Sequence, residues 1–154
     1  LLDLGIYPVS FAVDILGPVS SARAAGRLGD TGADTDVAIA ATHIGGGVSS
    51  LAVTSRGAGP NTASVIGTDA RIDIDRVWYT PTSFRVTATD GTLIEEYRSD
   101  VTGRGMQFQA RYAEQLIAEG RTDSDLLPFD QSIAIMRTLD DIRGQLGVAY
   151  PTAR

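Results

Sequence analysis

Between residues 19 and 98 apolar side chains recur at every second position in short runs, and most gaps between runs are too short to hold a helix. This constrains the fold more than any other feature. Antiparallel strands can be joined by two residues, whereas parallel strands need a crossover of a dozen or more. The runs fall at 19–28, 35–44, 48–56, 62–67, 71–75, 83–89 and 92–98. The second alternates Val37, Ile39 and Ala41 against Asp36, Ala38 and Ala40, and Arg71-Ile72-Asp73-Ile74-Asp75 alternates in the same way. Gly45-Gly46-Gly47, Gly67-Thr68-Asp69 and Asp90-Gly91 supply the turns, and Gly57 to Pro60 interrupts the series. A largely antiparallel sheet is predicted.

Helical periodicity flanks this block. Residues 4–16 carry Ile6, Val9, Phe11, Val13 and Leu16, with Asp3 placed to cap the first turn and Gly17-Pro18 ending it. Residues 106–119 place Phe108, Tyr112, Leu116 and Ile117 on one face, with Gly120 as the C-cap. Residues 129–146 direct Ile133, Met136, Leu139, Ile142 and Leu146 inward and close at Gly147. The expected class is α+β: an open-faced, mostly antiparallel β-sheet with helices packed on one face. Ser49, Thr54, Ser64, Arg71, Asp73, Arg85 and Thr87 populate the alternate face. That face is left either to solvent or to a docking partner.

Composition removes several functions. A net charge of −6 disfavours a nucleic-acid backbone as partner, because such binding needs clustered positive charge to displace counterions. No apolar run approaches the roughly 20 residues of a membrane span. The chain has no cysteine, hence no disulfide and no thiolate metal site, which is compatible with a reducing cytosol; a cytoplasmic location is the expectation. All thirteen basic residues are arginine, so no lysine acid, base or Schiff base can come from this chain.

Few residues carry chemistry by pattern alone. Gly45-Gly46-Gly47 lies between strands and opens no helix, so it does not fit a dinucleotide fingerprint. His43, the sole histidine, closes a strand without a second His or Cys nearby; a surface position is expected and a metal role is not. Asp73 and Asp75 share one side of a strand, as a solvated acidic face commonly does. Asp3 and Tyr7 are four residues apart at a helix start, near the positive end of the helix dipole. They read either as a proton-transfer pair or as a cap and a packing residue.

Several motifs resemble one family, in order and in spacing. Leu2-Asp3-Leu4-Gly5-Ile6-Tyr7-Pro8 is similar to the segment that opens the C-terminal domain in the glucose-fructose oxidoreductase, inositol dehydrogenase and rhizopine-catabolism (Gfo/Idh/MocA) family. Thr31-Gly32-Ala33-Asp34, Gly59-Pro60-Asn61-Thr62-Ala63-Ser64-Val65-Ile66-Gly67-Thr68, Gly105-Met106, Glu119-Gly120-Arg121-Thr122-Asp123-Ser124 and Leu127-Pro128 continue the likeness over nearly the whole chain. It is strongest toward the dihydrodiol dehydrogenase and NADP-dependent D-xylose dehydrogenase branch.

The resemblance implies that residues 1–154 form a single C-terminal domain for substrate binding and oligomerisation, with an N-terminal Rossmann domain upstream. It implies hydride transfer between NADP or NAD, held mainly by that upstream domain, and a sugar, polyol or trans-dihydrodiol. Tyr7 would give or take the proton of the substrate oxygen, and Asp3 would orient a substrate hydroxyl or tune Tyr7. Trp78, before Tyr79-Thr80-Pro81, matches a tryptophan that lines the substrate pocket; an aromatic covering a sheet edge is the other reading of it. The family's Gly-rich loop and its lysine have no counterpart here, so the isolated chain is expected to bind no cofactor and turn over no substrate. Homodimer formation through the open sheet face is also implied. The alternative is a non-catalytic binding or oligomerisation module of the same fold.

Overall fold

The first described helix begins later than its periodicity suggests. In the computed structural model, which describes residues 1–149, α1 runs Ile6–Leu16 and a turn occupies the residues before it. The strands follow as β1 Val19–Leu28, β2 Asp34–His43, β3 Val48–Thr54, β4 Ala63–Ile66, β5 Ala70–Ile74, β6 Phe84–Ala88 and β7 Leu93–Tyr97. Helices α2 Met106–Ala118 and α3 Phe129–Leu146 close the order. Every strand pair is antiparallel, as the short turns require. The expected α+β class is the class found. Pairing is divided between a three-stranded sheet ordered β1-β2-β3 and a four-stranded sheet ordered β4-β5-β6-β7. The break falls in the Gly57 to Pro60 stretch that interrupts the alternation.

Two compact units follow this division. The first comprises Leu1–Ala58 and the described residues from Asp123 onward; the second comprises Gly59–Thr122. In the first unit α1 and α3 cover one face of the three-stranded sheet. Val9, Val13, Val37, Ile39, Ile135, Leu139 and Ile142 form its buried cluster, with Ala22, Ala24, Leu51, Val53 and Leu146 packed at the margin. The two-residue period of β2 sets this arrangement, burying Val37, Ile39, Ala41 and His43 while Ala38, Ala40 and Thr42 face out. Gly26 lies where a methyl group would stand 2.6 Å from the Asp36 carbonyl oxygen, so glycine permits the close approach of β1 to β2.

Helix α3 departs from the expected stripe. Ile135 is buried at 3% exposure, while Ile133 and Met136 are exposed at 47% and 44%. Positions 135, 139, 142 and 146 repeat every three or four residues and share one face; 129, 133 and 136 make a second apolar stripe turned away from it. Both stripes satisfy the helical period, and only packing against β1 chooses between them. At the edge of the sheet the Gln145 amide stands in for a missing strand. Its Oε1 accepts from the Ala24 N–H at 2.9 Å and its Nε2 donates to the Ala22 carbonyl at 3.1 Å.

The second unit is built differently. Ser64, Asp73, Arg85 and Glu96 lie side by side across its four strands on one face. Val65, Ile72, Val86 and Phe84 occupy the other. No residue between Gly59 and Thr122 is buried, and α2 has none, with Phe108 and Ile117 exposed. Glu119, not Gly120, is the C-cap of α2; Gly120 follows in the left-handed conformation. No helix among the described residues is long and apolar enough to cross a membrane.

Candidate functional site

The residues singled out at the chain's start lie together in sequence but in different local structure. Asp3 is exposed within the turn that precedes α1, and Gly5 is the N-cap, with no side-chain cap hydrogen bond. The expectation that Asp3 caps the helix is therefore corrected. The Gly5 N–H donates instead to the Leu1 carbonyl at 2.6 Å, and the Val9 N–H donates to the Gly5 carbonyl at 3.2 Å. Backbone groups satisfy this entry to the helix, and the Asp3 carboxylate faces solvent. Tyr7 is in the first turn of α1 at 45% exposure, although its neighbour two residues on, Val9, is buried. The apolar face of α1 goes into the core and its Tyr7 side stays accessible, which a proton-transfer group needs.

Trp78 belongs to the second unit. It lies in the connection between β5 and β6, where its ring meets that of Tyr79 edge-on, with centroids 5.4 Å apart at 89°. The Trp78 N–H donates to the Asn61 carbonyl at 3.3 Å, and Asn61 Nδ2 donates to Tyr79 Oη at 3.5 Å. Asn61 has φ of +55°, the left-handed region that a side chain seldom adopts, asparagine more readily than most. The motif contains Asn61, but periodicity gives no sign that it reaches Trp78. Its place in a Gly-Pro-Asn turn is the one available signal.

His43 is corrected from a surface strand end to the interior, at 3% exposure. Its Nδ1 is 2.6 Å from the Gly17 carbonyl and its Nε2 is 3.0 Å from Ser49 Oγ. A carbonyl only accepts, so Nδ1 carries a proton and donates to it, and Nε2 shares a second hydrogen bond with the Ser49 hydroxyl. The pair locks the end of α1 to β2 and β3, and Ser49 thereby belongs to the buried face, not the open one. Asp73 accepts from Arg71 Nε at 2.7 Å and from Ser64 Oγ at 2.9 Å, which hold its carboxyl below the ordinary value of 3.8. Asp75 pairs with Arg85 at 3.2 Å. These acids are consumed in ion pairs on a solvated face. Among the described residues no group of His, Asp or Glu is arranged to hold a metal ion. A groove of about 440 Å³ lies beside Val13, Asp14, Pro18, Asp130 and Thr138, at the far end of α1 from Tyr7.

Comparison with known proteins adds the following. No family model matches the sequence. The chain is 30% identical over 158 residues to the trans-1,2-dihydrobenzene-1,2-diol dehydrogenase of Mus musculus, covering 98% of this chain and 47% of that protein. It is 31% identical to the enzyme of that name from Xenopus laevis, covering 98% of this chain and 48% of that protein. The chain thus spans about half the length of the curated relatives it matches. Among solved structures, a UDP-N-acetylglucosamine 3-dehydrogenase from Acidithiobacillus ferrooxidans superposes with a TM-score of 0.79 at 14% identity, over 94% of this chain and 46% of that one. An aldose-aldose oxidoreductase from Caulobacter crescentus gives 0.76 at 17%, over 94% and 44%. A 3-ketoreductase from Actinomadura kijaniata, in complex with TDP-benzene and NADP, gives 0.72 at 20%, over 95% and 46%. At these identities the structures establish the fold, and the curated relatives supply the kinship. The chain is thus similar over nearly its whole length to about half of a trans-1,2-dihydrobenzene-1,2-diol dehydrogenase, and its fold is shared with those solved oxidoreductases.

Proposed function

We propose that residues 1–154 are the C-terminal, substrate-side domain of an NAD(P)-dependent oxidoreductase that works with an N-terminal Rossmann domain of the same protein. The alignment of 98% of the chain with dihydrodiol dehydrogenases carries this reading. Substrates are sugars, polyols or trans-dihydrodiols, and the protein acts in the cytoplasm as a homodimer paired through its open sheet face.

Gly45-Gly46-Gly47 does not form a cradle for the dinucleotide. The glycine run at 45–47 closes a hairpin between β2 and β3 instead of opening a helix, so no helix N-terminus presents amides to a pyrophosphate there. A nicotinamide held by the other domain would supply the hydride chemistry, and the residues of this chain handle the proton. When the alcohol is oxidised, Tyr7 Oη passes its own proton to solvent as it takes the carbinol proton; in reverse it gives its proton to the carbonyl oxygen and regains one from solvent. Asp3, exposed in the preceding turn, accepts from a substrate hydroxyl and fixes its orientation. Trp78 offers a ring face to the substrate. A lysine in the relay, if the reaction uses one, is contributed from outside this sequence, which has none.

The test is turnover of the full-length protein with NADP and with NAD across a panel of sugars, polyols and trans-dihydrodiols. Tyr7→Phe is expected to lower kcat by about 10²–10⁴-fold while leaving dinucleotide affinity unchanged. An undiminished kcat in that variant would remove Tyr7 from the mechanism. A folded protein inert toward the whole panel would favour the binding or oligomerisation module instead.

A further inference from the structure

We infer that Asn61 is a positioning residue for the substrate platform: it holds Trp78 and Tyr79 in their edge-to-face arrangement. The inference rests on the reading of Trp78 as a substrate-pocket residue and adds the group that sets where its ring stands.

Three observations converge on Asn61. First, it reaches across the unit with both its main chain and its side chain. The carbonyl accepts from the Trp78 N–H at 3.3 Å, and Nδ2 donates to Tyr79 Oη at 3.5 Å. One residue therefore contacts the backbone of one aromatic and the hydroxyl tip of the next. Second, its φ of +55° lies in the left-handed region, which asparagine adopts more readily than most residues with a side chain, so the position suits the residue that makes both contacts. Third, the same connection is closely approached at Pro81. Gly105, the N-cap of α2 at φ of +78°, lies so near Pro81 that a methyl group there would stand 3.0 Å from the proline Cγ. The Trp78–Tyr79 pair thus lies between the Asn61 contacts and the close approach at Pro81, and a connection ordered in advance loses less affinity to loop ordering when it stacks on a ring. The edge-on pair couples the two rings, so what fixes Tyr79 also bears on where the indole stands.

The experiment uses the full-length protein labelled with 5-fluorotryptophan, the Trp78 ¹⁹F resonance being assigned by its loss in Trp78→Phe. Asn61→Gly keeps the left-handed backbone and removes only the amide. It is expected to shift the Trp78 resonance and to raise KM for a cyclic substrate about 3–10-fold, with kcat within about twofold of the parent. Asn61→Asp also tolerates the left-handed backbone, and its carboxylate accepts from the Tyr79 hydroxyl, so it restores both readouts toward the parent. An Asn61→Gly protein with the parent's resonance and KM would overturn the inference. So would one whose kcat falls with KM unchanged. Trp78→Ala separates the two readings. If KM is unaffected by losing the indole, the substrate role of Trp78 falls, and the ¹⁹F resonance alone then decides for or against Asn61 as the residue that holds the ring.

Discussion

Asp36 shows how a single half-buried carboxylate can carry pH dependence. On the outer face of β2 it accepts from Thr54 Oγ1 at 2.7 Å and from Thr35 Oγ1 at 3.0 Å. The hydroxyl of Thr54, then that of Thr35, with Arg27 and Arg56 adding charge, hold it below its ordinary value of 3.8. A carboxyl depressed on folding stabilises the folded chain fully above its unfolded value, and that stabilisation is lost as the pH falls through the lower folded value. The difference in urea midpoint between the parent and Asp36→Asn should therefore be constant above about pH 5 and shrink below 3.8. A difference that stays constant to the lowest pH at which the chain folds would contradict this. At the same scale, His43 and Tyr7 exchange the roles their surroundings in sequence suggest: the strand-end histidine is interior, and the tyrosine on an apolar helix is accessible.

Among the elements, the edge strand β1 is the one most in need of management. Its outward N–H and C=O groups invite pairing with another chain. The Gln145 amide of α3 occupies the Ala24 N–H and the Ala22 carbonyl, and so blocks the middle of the edge. Gln145→Leu keeps the helix and removes both bonds. It should destabilise by about 1 kcal/mol, because water replaces part of what is lost at an exposed position. It should also raise the self-association of the chain, seen as a mass increase with concentration in sedimentation. Unchanged stability together with unchanged association would show that the edge is protected by other means. The second stripe of α3, Phe129, Ile133 and Met136, shows the same dependence on context, since its period is as helical as that of the stripe that is buried.

Across the whole molecule, burial is uneven. Every buried residue described lies in the first unit, and none lies between Gly59 and Thr122. Regions with few buried apolar contacts open at lower free energy than a packed core. In the 154-residue chain, amides of β4 to β7 and of α2 should exchange with deuterium well ahead of those in β2 and the buried face of α3. Equal protection in the two units, measured by mass spectrometry on peptides from each, would refute this. A partner that covers the second unit should slow its exchange selectively, which gives the proposed pairing a local readout.

Local order was legible in the sequence because its causes are local. A two-residue period broken by Gly45-Gly46-Gly47 and Asp90-Gly91 specifies strands and hairpins wherever they end up, and each strand and helix lies within a few residues of its expected place. The kinship was legible through the spacing of motifs, Asp3 and Tyr7 among them. Which face of an element meets which neighbour was not, because a period states that a face exists without saying what covers it. Packing against β1 selected Ile135 over Ile133 and Met136, and the Gly17 carbonyl with the Ser49 hydroxyl drew His43 inside. The link from Asn61 to Trp78 spans 17 positions and depends on a backbone angle, so no sequence pattern carries it. The sequence by itself determined the elements and the likeness to dihydrodiol dehydrogenases; the tertiary structure decided burial, the exposure of Tyr7 and the setting of the aromatic pair, because those depend on contacts between residues far apart in the chain.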